Sequence, residues 1–73
     1  MRTNMKVERV RCNLTIKQVA DAIDVHPNAV SRWESGTAEP SASNLIALSN
    51  LYGCTPEYLL DMTDERTAAA IAN

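Results

Sequence analysis

Apolar residues along this chain recur mostly three and four positions apart, and the recurrences are cut into short lengths by Pro, Gly, Asn and Asp. In "NMKVERVRCN", Met5, Val7 and Val10 stand at near-helical spacing, which predicts a first helix over about 4–12, closed near Asn13. "LTIKQVADAIDV" follows. Thr15 and Gln18 have the spacing at which a hydroxyl and an amide side chain satisfy each other's exposed backbone N–H groups, and Val19, Ala20 and Ile23 form the apolar stripe. Asp24 falls where the chain must turn, and Asp tolerates the left-handed backbone of such turns.

Pro27 suits the first turn of a third helix, over about 27–35, because its missing N–H costs nothing there. Ala29, Val30 and Trp33 share one side of it, and Gly36 supplies a left-handed stop before the loop "TAEPS". Ser41 caps a fourth helix through "ASNLIALSNLY", with Leu45, Leu48, Leu51 and Tyr52 on one face and Gly53 at its end. Thr55 and Pro56 open a short fifth, "PEYLLD". The last segment, "TDERTAAAIAN", carries one sizeable apolar group, Ile71, and reads as a marginal helix or a tail. The pattern predicts an all-α fold, a compact bundle of five short helices, with about three residues joining helices 2 and 3, as in a helix-turn-helix. Residues 1–62 make the domain, and 63–73 a C-terminal tail or a short dimerisation helix.

Length and composition narrow this further. With 73 residues there is room for one domain, which buries only about 60% of the surface its unfolded chain exposes. No run approaches the roughly 18 apolar residues of a membrane span, and "MRTNMKVERV" lacks a signal-peptide hydrophobic stretch, so a cytoplasmic protein is expected. Cys12, Cys54 and the single His26 do not make a metal set, and free thiols serving as small core hydrophobes are the expectation. No cofactor or small-molecule ligand is indicated. His26 has only nearby Asp24 as a conceivable carboxylate orienter, so a catalytic role is not expected.

The formal net charge of −2 speaks against a polyanion partner, but its distribution does not. Residues 1–34 hold six basic against four acidic side chains, a balance of +2, whereas residues 35–73 hold Arg66 against five acidic ones, a balance of −4. One surface could meet a polyanion while another does not. The outward side of the third helix sharpens the point: Asn28, Ser31, Arg32 and Ser35 include no carboxylate, where an ordinary solvated face would mix Glu with Lys. Taken alone, that ridge reads equally as a solvated face or as a contact surface.

Residues 14–60 resemble the XRE family of helix-turn-helix regulators, the group of phage Cro and repressor DNA-binding domains. The landmarks are Leu14-Thr15, Val19-Ala20, Val25, Val30-Ser31-Arg32-Trp33-Glu34, Gly36, Pro40-Ser41, Leu45, Leu48, Gly53 and Tyr58-Leu59-Leu60. The resemblance implies a lambda-repressor-like bundle and a sequence-specific transcriptional regulator, a repressor, bound as a homodimer to a near-palindromic double-stranded DNA operator. It implies that helix 3 is the recognition helix, with Pro27, Asn28, Ser31 and Arg32 facing base edges. Asn pairs bidentately with adenine and Arg with guanine. Lys6, Thr15, Lys17, the backbone at the start of helix 2, His26, Ser35, Thr37 and Asn44 become phosphate contacts. Arg9 and Glu34 take the positions of a buried structural ion pair typical of the family.

Three positions depart from the family's habit. Ile16 stands where a Gln usually contacts phosphate, Asp24 where the turn usually has Gly, and His26-Pro27 where Ser or Thr precedes a long polar residue. Readout then rests mainly on Asn28 and Arg32, with His26 either capping the helix or reaching a phosphate. The alternative from another class is a protein-interaction module on the same scaffold, for instance an antitoxin using the acidic second half.

Overall fold

The computed structural model describes residues 3–67, with side chains from Asn4 onward. Five helices follow one another: α1 (Thr3–Arg11), α2 (Ile16–Ile23), α3 (Pro27–Ser35), α4 (Ala42–Tyr52) and α5 (Pro56–Leu59). No strand occurs among the described residues.

Caps set the boundaries. Thr15 Oγ1 accepts from the Gln18 amide at 3.1 Å while Gln18 Oε1 accepts from the Thr15 amide at 2.8 Å, which satisfies two of the donors a helix start leaves over. Ser41 accepts from the Asn44 amide and Thr55 from that of Tyr58. At the far ends, Gly36 and Gly53 lie at φ +82° and +72°, the left-handed region a glycine enters without a Cβ penalty. Asp24 closes α2 at φ +60° and ψ +52°, and its amide and that of Val25 both donate to the Ala20 carbonyl. An aspartate there is strained relative to glycine. Asp24→Gly should therefore raise the melting temperature by about 2–8 °C, from roughly 0.5–1 kcal/mol of relieved strain. A thermal melt with no gain would mean that the aspartate contributes an interaction of its own.

The core consists of Met5, Val19, Ala20, Val30, Trp33, Leu48, Tyr52, Cys54 and Leu59. α2 packs against α3 and α4, while α1 is held between α3 and α5. Both thiols are free, and burial first, then the Glu8 charge, pushes Cys54 up to about 11, which leaves it an uncharged core group. No helix among the described residues is long and apolar enough to cross a membrane.

α1 departs from the simple apolar stripe. Met5 is buried, but Val7 and Val10 are 46% and 61% exposed, and the other fully buried side chain of this helix is Glu8. Its carboxylate accepts from Arg11 Nε at 2.9 Å, from Arg66 Nε and Nη2 at 3.0 and 2.8 Å, and from the Tyr58 hydroxyl at 3.3 Å. The charged group thus takes an apolar position because four donors replace its water. Arg66 also donates to the Tyr52 carbonyl, and its own carbonyl accepts from the Thr55 amide. Residues 63–67 form no helix and, through Arg66, are fastened onto the bundle; the rest of the expected tail, residues 68–73, lies outside the described residues.

Burial pulls the Glu8 carboxyl upward, but the hydrogen bonds from Arg66 and then Arg11, with their charges, outweigh it and hold the group below its ordinary 4.5. A depressed folded value means that the unfolded chain binds the proton first, so stability is present above the unfolded value and is lost as pH falls through the folded one. Glu8→Gln should be less stable than the wild type at neutral pH, and the gap should close on acidification below about pH 4.5. Denaturant melts at several pH values check this; a gap that stays constant would show that the carboxylate charge is not involved.

Candidate nucleic-acid interface

α2 and α3 meet at the three-residue turn 24–26, and the apolar undersides of both reach the core through Val19, Ala20, Val30 and Trp33. The outward side of α3 is left in solvent. Asn28, Ser31, Arg32 and Ser35 are all exposed and Pro27 is half-buried, while the one carboxylate of α3, Glu34, turns inward and is 8% exposed. Arg9 receives it: Nε donates to Glu34 Oε2 at 2.7 Å and Nη2 to Oε1 at 3.2 Å, and Nη1 donates to the Leu14 carbonyl at 3.0 Å.

Most cations are engaged inside the molecule. Arg9 is taken by Glu34, Arg11 and Arg66 by Glu8, and Lys17 by Asp21 at 2.9 Å. Among the described residues this leaves Lys6 and Arg32 without a carboxylate. The side chains of Asn28 and Ser31 make no hydrogen bond with the described protein either, so the first two turns of α3 present an amide, a hydroxyl and a guanidinium free to take an external partner.

The platform beneath Arg32 is firm. Its carbonyl accepts from the amides of Gly36, Thr37 and Ala38 and, at 3.1 Å, from the Ser35 hydroxyl. Ser35 and Thr37 hydroxyls also bond each other at 2.8 Å. Helix end and loop are thereby tied under a side chain that itself stays free, which limits the ordering cost of binding.

The remaining candidates carry internal commitments, two of them, the Thr15–Gln18 box and the His26 cap, as the sequence suggests. The Thr15 hydroxyl and the Gln18 amide form the α2 capping box, Lys17 pairs with exposed Asp21, and His26 caps α3, its Nδ1 accepting from the Asn28 amide at 3.1 Å. The box leaves the Ile16 and Lys17 amides unused at the start of α2, the backbone donors expected there; they belong to the N1 and N2 positions, which no helix satisfies internally. Exposed Lys6 on α1 and half-buried Asn44 on α4 make no side-chain hydrogen bond with the rest of the set. The ridge, in short, is three adjacent uncommitted polar groups on a braced helix, backed by a turn and a second helix whose first amides are free. That arrangement fits the major groove, which admits one helix and offers base edges to Asn and Arg.

A family model described as "Helix-turn-helix" matches residues 5–59. Repressor protein C2 of Salmonella phage P22 is 40% identical over 65 residues, which are 82% of this chain and 30% of that protein. The HTH-type transcriptional regulator DicA of Escherichia coli is 34% identical over 77% of this chain and 42% of its own length. The HTH-type transcriptional activator BcrR of Enterococcus faecalis is 33% identical over 100% of this chain and 37% of its own. This chain therefore spans about a third of the length of these relatives. Among solved structures, the crystal structure of the P22 c2 repressor in complex with a synthetic operator superposes with a TM-score of 0.76 at 30% identity, covering 81% of this chain and 89% of that one.

Proposed function

The chain belongs to the XRE-type helix-turn-helix family, and from that premise we propose that it is a sequence-specific double-stranded DNA-binding transcriptional regulator, a repressor that reads the major groove with α3. The observation that carries this reading is the free ridge: Asn28, Ser31 and Arg32 exposed together on a helix whose only carboxylate is buried. The P22 relative, solved on an operator, supplies the partner class. Asn28 addresses adenine and Arg32 guanine, each worth about 1–3 kcal/mol of discrimination. Pro27, with no donor, offers its ring to a thymine methyl, and Ser31 lets the backbone approach. The backbone of the duplex is held by Thr15, Lys17 and the free amides at the start of α2, and by Lys6, Ser35, Thr37 and Asn44. Two copies bind half-sites about one helical turn apart, roughly 34–36 Å.

Selection of bound sequences from a random duplex library, followed by titration across salt, tests the proposal. A regulator enriches one motif, with symmetry that reports the dimer, and its affinity falls with a log-log slope of about −0.9 per neutralised phosphate. No enrichment, with no duplex bound even at low salt, would overturn the assignment and favour a protein partner for the acidic second half.

A further inference from the structure

Arg66 joins three helices. Its guanidinium donates to Glu8 of α1 and, from Nη2 at 2.8 Å, to the carbonyl of Tyr52, the last residue of α4, while its own carbonyl accepts from the amide of Thr55, the cap of α5, at 2.9 Å. Tyr52 offers one of the four carbonyls that a helix end leaves over, and Arg11 Nη2 reaches the same oxygen at 3.0 Å. Two guanidiniums therefore share one carboxylate and one carbonyl. That sharing makes the arrangement releasable. If Arg66 leaves, Glu8 keeps Arg11 and the Tyr58 hydroxyl, and the Tyr52 carbonyl keeps Arg11, so no buried charge is stranded. Arg66 sits in the non-helical segment 63–67, and its side chain is 34% exposed against 1% for Glu8. An irregular backbone held mainly by one half-buried side chain belongs to the low-stability end of a fold, where opening is local.

Resting on the regulator reading above, we propose that residues 63–67 are a latch on DNA binding: the state that binds the duplex is the one in which Arg66 is seated on Glu8 and Tyr52. The link runs through α1. Glu8 and Arg9 are consecutive residues, and while the first is held by Arg66 the second holds Glu34 of α3 by its two bonds. α1 thus carries the seat of the latch, the brace of the ridge and Lys6. Unseating Arg66 opens the Glu8 carboxylate to water and lets α1 shift against α3 and α5. The ridge then loses its fixed placement without losing any group of its own. By reciprocity, the duplex favours the seated latch by the same factor by which the seated latch favours the duplex.

Two variants of the whole chain, measured at a temperature where both are folded, test the latch. Arg66→Ala should melt about 4–8 °C below the wild type. Arg66→Lys keeps the charge but not the planar fork that reaches carboxylate and carbonyl together. Both should bind the selected duplex about two- to thirtyfold more weakly, with the same base motif and the same salt slope, since no phosphate contact is lost. Saturating the wild type with that duplex should slow hydrogen exchange at the Thr55 amide, which donates to the Arg66 carbonyl, and Arg66→Ala should abolish the slowing. Full affinity in Arg66→Lys would mean that Arg66 acts by charge alone. Full affinity in Arg66→Ala, or Thr55 exchange indifferent to the duplex, would make the segment a staple of stability only. Any of these results overturns the inference and leaves the regulator reading standing. If the wild type selects no duplex at all, both fall together.

Discussion

Glu34→Ala is expected to cost this protein about 3–5 kcal/mol of its stability. The carboxylate is 9% exposed and its partner Arg9 only 14%, and they meet through two parallel bonds at 2.7 and 3.2 Å. Paired fork to fork, both charges lose water without losing partners. Alanine would strand a guanidinium in that site with only the Leu14 carbonyl, at 3.0 Å, left to it. Breaking a buried pair from one side costs about 3–5 kcal/mol. A domain of this size has roughly 4–11 kcal/mol in total, so the loss removes a large part of it. Denaturant melts read the effect directly. The charge itself is not what the fold requires: replacing both partners together, Arg9→Met with Glu34→Leu, should recover most of the loss, since a well-packed apolar pair avoids the desolvation cost. A cost below about 1 kcal/mol for Glu34→Ala would place the pair in effective contact with solvent.

How much of this could be read from the chain depends on the range of the interaction. The capping box of Thr15 and Gln18, the left-handed Gly36 and Gly53, and Pro27 at the head of α3 are local rules acting within four residues, and the spacing carries them. Trp33 and Val30 are legible as core because a 3.6-residue period assigns them a side. α1 is not legible in this way. Its period points Val7 and Val10 to the interior, yet the position taken belongs to Glu8, whose main partner Arg66 lies 58 residues away. Arg11, three residues on, is the one local donor; the others arrive from α5 and the segment after it, and nothing in the local spacing announces them.

The ridge is visible in the sequence as a composition, but its freedom is not. That Asn28, Ser31 and Arg32 lack internal partners, while Lys17, Arg66 and the Ser35–Thr37 pair have them, follows only from the assembled fold. The acidic balance of the second half is likewise altered once Arg66 is seen to be committed to Glu8.

Arg32→Ala should weaken binding to the selected duplex by about 1–3 kcal/mol, roughly 5- to 150-fold, and relax the preference at one base pair per half-site. The size follows from what the wild type does not have to break. Arg32 has no carboxylate to leave, and its backbone is already fixed by four donors on its carbonyl, so its ordering cost is confined to the side chain. Lys17 is the contrast: it already pairs with Asp21 at 2.9 Å, though the pair is exposed and worth at most about 1 kcal/mol against a phosphate. Lys6 is the control: its cation is free but sits on α1, so Lys6→Ala should weaken all duplexes alike and make the salt slope shallower by about 0.9 for each phosphate that is no longer neutralised. Repeating the library selection with Arg32→Ala and Lys6→Ala distinguishes the two modes. Base readout requires a motif with one position blurred in the first case and an unchanged motif in the second. If Arg32→Ala kept every base preference and lost only affinity, the guanidinium would be a phosphate clamp, and sequence discrimination would have to rest on Asn28 and Ser31.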